Sequence, residues 1–483
     1  MRVFRKLSTL AAAAVIPVAV GVPAAQGSVR TTVPLVRTFS GATPDGPSRN
    51  PAVSGDARIA RAMAYESDAS NIVRGDTNGA TDVFVVHRAP GYGRNGTPWN
   101  IGRTELASRG LGGAPANARS YDAELDGDSH DAPQCVAFIS EASNLVHGDT
   151  NGVADAFVYF FRAKKTIRVS VNSRGEQANG ASTDVSVEGD CDRVAFTSNA
   201  TNLALDTGDL GVGAKPPQPA GPPNPAGVRQ VYVHFMHATK LDKDLVRQTI
   251  LASRSTSGRA GDQSSFDVDF AASGKALVFT SLARLDPADR NSHEDVYERT
   301  LERRFRHLGH GKGVQVVHSR TDLVSHGGNA SSTDASASDD GRHVAYETLA
   351  SNLLPGDANG VSDVVEADMA GGVPRQRWVS RSQGIGQPGN GASQDPDISG
   401  AADFVLFDSD ATNLLPSNSH KDPNGVRDVF LWNRPTSNAS LESRTANNLF
   451  LATPSMNPAT SSHGNYVLFE SNGMVYLRYE GPE

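Results

Sequence analysis

One short apolar segment recurs seven times along the chain and constrains the fold more than any other feature. Each copy is an apolar run that ends at or near a serine or a residue in its place. The copies read AMAYES (62–67), VAFIS (136–140), VAFTS (194–198), LVFTS (277–281), VAYET (344–348), VLFDS (405–409) and VLFES (467–471). Recurrence of this kind is typical of repeat proteins, in which each unit buries its faces against its neighbours.

Each copy lies inside a wider unit that predicts four β-strands. An alternating segment and a turn precede the copy, and a loop with the consensus A-[ST]-N-[LI] follows it. A second apolar strand comes next, as in DVFVVHR (82–88) and DVFLWN (428–433), and a fourth strand often ends in a Ser-Arg pair. The segments are rich in Val, Phe and Tyr, are bounded by Gly, Asn and Asp, and lack a helical period. Four antiparallel strands repeated radially predict an all-β fold, a single seven-bladed β-propeller.

The two ends of the chain predict that the ring is closed. The seventh unit stops after its third strand, and an orphan segment, PLVRTFS (34–40), precedes the first unit. We expect this N-terminal segment to supply the missing fourth strand of the last blade. The predicted propeller covers residues 28–483, with blades near 51–110, 120–174, 183–256, 266–321, 333–382, 395–445 and 454–480.

The repeated phrases resemble those of a known family. SDASNIVRGDTNGATDVFVVHR (67–88) and TLASNLLPGDANGVSDVVEAD (348–368) are similar to the WD40-like repeat of the TolB-like propeller proteins of secreted bacterial proteins. This resemblance covers almost all of the chain after residue 27 and implies the same fold. It leaves function open, because the family includes binding scaffolds and the propeller halves of peptidases.

The first 27 residues have the order of a secretory signal peptide. A positively charged start is followed by an apolar run from Leu10 to Val22 and then by the small residues Ala24, Ala25 and Gly27. The run is short for a membrane span and contains Pro17, although a retained anchor is the alternative. We therefore expect a secreted, extracellular chain with no membrane span in its mature part.

The charge of the chain restricts its partners. A formal net charge of −8 and a pI near 5.9 give no electrostatic reason to bind nucleic acid or anionic membranes. We expect a monomer that binds an extracellular protein, peptide or glycan.

An acidic motif, D-x-N-G-x-x-D, occurs in four blades and admits two interpretations. Oxygen ligands two residues apart, then a glycine turn and another carboxylate, are able to hold Ca²⁺. The same residues also build turns, and the last Asp starts a strand beside the Ser-Arg end of the next one, which predicts ion pairs between Asp82 and Arg109, Asp363 and Arg381, and Asp428 and Arg444. The motif residues are Asp76, Asn78 and Asp82; Asp149, Asn151 and Asp155; Asp357, Asn359 and Asp363; and Asp422, Asn424 and Asp428.

The two cysteines, Cys135 and Cys191, precede the same repeated strand in neighbouring units. An oxidising compartment favours a disulfide, but equivalent positions of adjacent blades are often too far apart for one. A disulfide and two buried free thiols both remain open.

Catalytic signatures are absent from the sequence. It has no G-x-S-x-G elbow, H-E-x-x-H motif, phosphate loop or dinucleotide fingerprint. The leading hypothesis is therefore a secreted binding or scaffold module without a catalytic site. The alternative is a secreted hydrolase or lyase whose site is assembled from several loops at the mouth of the propeller. A mouth pocket lined by converging carboxylates or histidines favours the enzyme, and a flat polar mouth favours binding.

Overall fold

In the computed structural model of the chain, the structure describes residues 30–56, 59–93, 99–127, 132–204, 224, 227–236, 248–309, 312–382, 386–415, 422 and 424–481. The predicted signal peptide (1–27) lies outside the described residues. So does most of the Pro-rich insertion of blade 3 (215–227).

The regular secondary structure of the described part of the chain is β-strand, apart from one short 3₁₀ turn at Leu111–Gly113. The strands are β1 (Thr31–Pro34), β2 (Ser48–Val53), β3 (Ala62–Ser67), β4 (Asp82–Ala89), β5 (Asn100–Leu106), β6 (Ser120–Leu125), β7 (Cys135–Ser140), β8 (Asp155–Phe160), β9 (Lys165–Arg168), β10 (Ser182–Val187), β11 (Arg193–Ser198), β12 (Gln230–Phe235), β13 (Gln248–Leu251), β14 (Ser265–Phe270), β15 (Ala276–Ser281), β16 (Asp295–Gly309), β17 (Lys312–Leu323), β18 (Ser332–Ala337), β19 (His343–Thr348), β20 (Asp363–Asp368), β21 (Arg375–Trp378), β22 (Ser393–Ile398), β23 (Phe404–Ser409), β24 (Asp428–Asn433), β25 (Asn438–Leu441), β26 (Ser455–Thr460), β27 (Tyr466–Ser471) and β28 (Met474–Tyr479).

These strands form seven separate sheets of four antiparallel strands each, which confirms the predicted seven-bladed propeller. Blades 1 to 6 take consecutive strands from β2 to β25. The serine that ends the repeated segment explains part of the repeat. In blade 1 the Ser48 hydroxyl donates to Ser67 Oγ (2.9 Å), and Ser67 Oγ in turn accepts the Ala69 amide (3.1 Å). This hydroxyl pair ties the inner strand to the loop after the second strand.

The second and third strands of each blade are apolar on both faces because both faces pack against a neighbouring blade. In blade 1, Tyr65 and Phe84 pack with blade 7, whereas Ala64 and Val85 pack with blade 2. All four side chains are fully buried. A strand with two buried faces shows a continuous apolar run rather than an alternating one, which is the pattern of the repeated segment.

The N-terminus closes the ring, and the sheet order β1-β28-β27-β26 confirms the predicted closure. The closing strand is Thr31–Pro34, however, and not residues 34–40. Leu35 and Val36 follow it as buried core residues. Residues 34–40 read as a strand because these apolar side chains enter the core, but the backbone pairing takes place just before them.

Blade 4 differs from the others in the length of its outer hairpin. β16 and β17 continue their pairing far beyond the neighbouring strands, from Tyr297↔Leu323 to Gly309↔Lys312. Residues 299–309 and Lys312, which belong to a basic stretch of the sequence, therefore lie in this extended hairpin. At its base the buried Arg299 donates to the Arg254 carbonyl and to Thr321 Oγ1.

Candidate functional site

The asparagine side chain of each acidic motif forms hydrogen bonds that stabilise the blade. In blade 1 the Asn78 amide donates to Asp82 Oδ2 and to the Ala116 carbonyl, and Asn78 Oδ1 accepts the Ala80 N–H. The other three motifs repeat the Asn-to-Asp bond. Its lengths are 2.6 Å for Asn78–Asp82, 3.1 Å for Asn151–Asp155, 2.8 Å for Asn359–Asp363 and 2.7 Å for Asn424–Asp428. The asparagines therefore join the loop to the start of the third strand and to the linker after the fourth.

The last aspartate of the motif pairs with serine and not with arginine. Ser108 Oγ donates to Asp82 Oδ1 at 2.5 Å and accepts the Val83 N–H at 3.1 Å. Ser380 and Ser443 make the same bond to Asp363 and Asp428. The predicted Asp82–Arg109, Asp363–Arg381 and Asp428–Arg444 ion pairs are wrong, because side chains of consecutive residues in an extended segment point to opposite faces and the serine takes the inner one.

Cys135 and Cys191 form a disulfide between blades 2 and 3. Their Cα atoms lie 6.4 Å apart, within the range that a disulfide spans. Cys135 begins β7, whereas Cys191 lies in the turn before β11 with φ of 57°. The two positions are not equivalent in the repeat, which is how the bond bridges two adjacent blades.

The inner strands of the seven blades together carry a ring of short polar residues. The third residue of each inner strand is Asp or Asn, and six of the seven have a positive φ beside a register shift in the strand pair. Asp and Asn tolerate this left-handed conformation better than other non-glycine residues. The ring consists of Asn50, Asp122, Asp184, Asp267, Asp334, Asp395 and Asn457.

A cavity of about 290 Å³ lies against this ring and is strongly acidic. Seven carboxylates line it, and none of the described residues in its lining is Lys, Arg or His. The acidic residues are Asp122, Glu124, Asp184, Asp267, Asp269, Asp334 and Asp397. The sequence alone did not predict this site, although an Asp or Asn two residues after the first serine of every unit was the available signal.

Several of these carboxylates also connect adjacent blades. Asp269 Oδ2 accepts the Ala337 amide of the next blade at 2.8 Å, and Asp122 Oδ2 accepts the Val185 amide at 2.8 Å. Asp397 makes the same kind of bond to blade 7. The carboxylates are thus held in place by backbone N–H groups, and they face the cavity as a fixed array.

Burial and repulsion between carboxylates raise the pKa values of several of the cavity carboxylates. Burial and Asp184 raise the pKa of Asp267 to about 6, and burial with the Asp269 charge raises the pKa of Asp397 to about 7. The pKa of Asp334 rises well above its usual range, because it is buried and faces Asp395 and Asp267. The described lining of the cavity therefore supplies no positive charge to balance these carboxylates near neutral pH.

Asp267→Asn will stabilise the protein at pH 7.5 by about 1 to 2 kcal/mol. The folded-state pKa of Asp267 lies above the unfolded value, so the native state holds more protons between about pH 4 and pH 6. Stability from this group is complete at low pH and is lost as pH rises through that window, and the amide avoids the loss. Denaturant unfolding at pH 4 and pH 7.5 measures it, with the exposed Asp262→Asn of the same blade as control. An equal gain at both pH values would contradict this origin.

A second, larger cavity of about 670 Å³ lies in a groove between blades 1 and 2. Arg103 and Arg109 line it from blade 1, and Lys165 lines it from blade 2. Its one acidic side chain, Glu105, accepts a hydrogen bond from the Tyr159 hydroxyl and pairs with Arg103. The groove is therefore basic, opposite in sign to the cavity at the inner strands.

Within the described residues, one group of three His, Cys, Asp or Glu side chains brings its ligand atoms within 4.8 Å, and it consists of Asp126, Cys135 and Cys191. Both cysteines are in the disulfide, and Asp126 accepts the Cys135 N–H at 2.9 Å. This group is a structural feature of the blade 2 core.

No helix in the described part of the chain has the length and apolar character to cross a bilayer.

No protein-family model matches the sequence, and no curated protein matches it either. Solved structures are similar to it over most of its length. An oligogalacturonate lyase from Vibrio parahaemolyticus has 10% identity, with 94% of this chain and 98% of that chain covered and a TM-score of 0.46. A putative TolB from Agrobacterium tumefaciens has 12% identity, coverage of 65% and 76%, and a TM-score of 0.34. TolB from Acinetobacter baumannii has 10% identity, coverage of 77% and 82%, and a TM-score of 0.33.

Proposed function

We propose that this propeller is an extracellular binding module that holds a cationic segment of a protein or peptide in its acidic inner cavity. The main observation behind this proposal is that seven carboxylates line one cavity, and that the described lining of this cavity has no basic side chain. A concave surface lined by one sign of charge attracts ligands of the other sign and speeds their association. A lysine or arginine side chain, or a free amino terminus, supplies the missing charge.

The fixed positions of the carboxylates support the binding of a cation. Asp122, Asp269 and Asp397 each accept a hydrogen bond from a backbone N–H group of the neighbouring blade. A carboxylate held in this way is preorganised for a cation, because it pays little entropy on binding.

Binding of a short oligo-lysine peptide tests this proposal. We expect calorimetric heat that strengthens as pH rises from about 5 to about 8, because Asp267 and Asp397, with pKa values of about 6 and about 7, lose their protons in this interval. Added salt will weaken the binding. The double variant Asp267→Asn/Asp334→Asn will bind at least about tenfold more weakly, since two of the facing charges are gone.

Lys165→Ser, in the groove between blades 1 and 2, is the matched control and will leave oligo-lysine binding unchanged. An oligo-glutamate peptide of the same length tests the groove itself. Equal oligo-lysine affinity of the wild type and of the Asp267→Asn/Asp334→Asn variant would refute the cavity as the binding site.

A secreted hydrolase or lyase is the second candidate, and the converging carboxylates of the same cavity are the observation that favours it. Its test is turnover of polysaccharide or peptide substrates by the purified protein, followed by reducing ends, unsaturated products or new amino termini. Turnover that Asp269→Asn and Asp397→Asn abolish would favour this candidate over a pure binding module.

A further inference from the structure

The acidic loop of blade 2 shows what a pair of loop carboxylates requires. Arg168 Nη1 lies 3.3 Å from Asp149 Oδ1 and 3.5 Å from Asp155 Oδ2. The Gln177 side-chain amide donates to the same two carboxylates, at 2.8 Å and 3.0 Å. A guanidinium and an amide therefore occupy the space between the carboxylates, and the pair is neutralised within the protein.

Blades 1 and 6 keep the two carboxylates but lose both donors. Arg168 pairs with Phe157 across the sheet, and the residues at that register position are Leu106 in blade 1 and Leu441 in blade 6. Gln177 bridges to Val171, and the equivalent bridges end in Pro115 and Phe450. None of these four residues has a side chain that donates a hydrogen bond.

The carboxylates of blades 1 and 6 consequently have unsatisfied oxygens. Asp76 and Asp422 are only 7% and 8% exposed, and Asp76 Oδ1 and Asp422 Oδ2 have no hydrogen-bond donor among the described residues. Asp82 and Asp428 are fully buried, and the Asp428 carboxylate lies within hydrogen-bonding reach of that of Asp422. Two buried carboxylates that face each other are stabilised either by a shared proton or by a cation between them.

Blades 3 and 4 solve the same problem in other ways. Blade 3 has the neutral Gln230 in place of the last aspartate, and its Oε1 accepts the Ser253 hydroxyl. In blade 4 the Tyr297 hydroxyl donates to Asp289 at 2.6 Å, and the buried Asp295 keeps one oxygen, Oδ2, without a hydrogen-bond donor among the described residues. Blade 5 has Trp378 and Pro388 at the two donor positions, but its Asp357 is half-buried and accessible to solvent. Among the described residues, blades 1 and 6 are therefore the two in which the first aspartate of a buried pair accepts no hydrogen bond from a guanidinium, amide side chain or hydroxyl group.

We propose that blades 1 and 6 each bind one hard divalent cation of the Ca²⁺ type, held between Asp76 and Asp82 and between Asp422 and Asp428. Ca²⁺ prefers carboxylate oxygens and accepts water in the remaining positions. In each loop the asparagine fixes the second carboxylate, and the cation takes the place that Arg168 occupies in blade 2. None of these four aspartates lines the acidic inner cavity, so the sites are separate from the proposed binding function.

Calcium titration of the chelator-treated full chain tests the proposal. Native mass spectrometry will count two bound Ca²⁺ ions in the wild type, one in Asp76→Asn and none in Asp76→Asn/Asp422→Asn. Excess Ca²⁺ will raise the Tm of the wild type by about 3 °C or more and leave that of the double variant unchanged. Asp149→Asn in blade 2 is the matched control and will keep two ions. Absence of Ca²⁺ binding, or equal binding by the wild type and the double variant, would overturn the proposal.

A transplant of the blade 2 donors gives an independent readout. Leu106→Arg/Pro115→Gln will remove one Ca²⁺ ion and raise the Tm measured in chelator, because the guanidinium replaces the metal. Persistence of two bound ions in a folded Leu106→Arg/Pro115→Gln protein would contradict the blade 1 site. Oligo-lysine binding will stay unchanged in Asp76→Asn, so the failure of either proposal is visible without the other.

Discussion

The double variant Cys135→Ala/Cys191→Ala will lose about 4 kcal/mol of unfolding free energy relative to the oxidised protein. The two cysteines are 56 residues apart in the chain, and in the chain-entropy account a closed loop of this length restricts the unfolded state by about that amount. The bond also joins blade 2 to blade 3, so its loss weakens an interface as well as a loop. Denaturant unfolding of both proteins measures the difference.

Reductant provides the control for this variant. Wild-type protein that is reduced in denaturant and refolded with its thiols blocked will show a similar loss, whereas the alanine variant will not respond to reductant. Both cysteines are almost fully buried, so alanine at either position leaves only a small void. Identical stability of the oxidised wild type and the variant would mean that the disulfide does not contribute to the stability of the fold.

Removal of the closing strand will destabilise the propeller by about 4 to 6 kcal/mol. A chain that starts at Val36 lacks β1, which pairs with β28, and it also lacks Leu35, which is fully buried. It further removes Thr32, whose hydroxyl accepts a hydrogen bond from the Arg478 guanidinium at 3.2 Å. Arg478 is 1% exposed, so the loss of a partner leaves a buried charge less well satisfied.

A chain that starts at Ser28, the predicted mature N-terminus, is the matched control and will unfold as the full chain does. The comparison is made by thermal and denaturant unfolding under one buffer condition. Hydrogen exchange at the amides of β28 will rise in the chain from Val36, because these amides sit on an open edge. Equal stability of the two truncated chains would show that β1 is not needed to close the ring.

The number of blades was predictable because the pattern that carries it is repeated and physically simple. Each repeated segment is apolar on both faces, as Tyr65 and Ala64 illustrate in blade 1, and only a strand between two other blades is buried in this way. Seven copies therefore meant seven blades. The identity of the closing strand was harder, since Leu35 and Val36 give the apolar signal of a strand although they pack after β1 has ended.

Sequence spacing alone does not determine which side chains contact the acidic loops. Ser108 and Arg109 are adjacent, so one of them faces Asp82 and the other does not. The serine is selected because its hydroxyl both donates to Asp82 and accepts the Val83 N–H. The inner cavity was missed for a different reason: its carboxylates come from separate blades, and no local motif brings them together.

At the left-handed positions of the inner strands, the charge of the inner cavity can change while the shape of the backbone stays the same. At these positions the backbone accepts a short polar side chain, and aspartate and asparagine meet that requirement equally well. Blades 1 and 7 use Asn50 and Asn457, whereas the blades between them use aspartate. Replacement of aspartate by asparagine, or the reverse, thus changes the electrostatic potential of one blade at a time and leaves the backbone unchanged. A propeller of this type is therefore able to acquire ligands of different charge without a new fold.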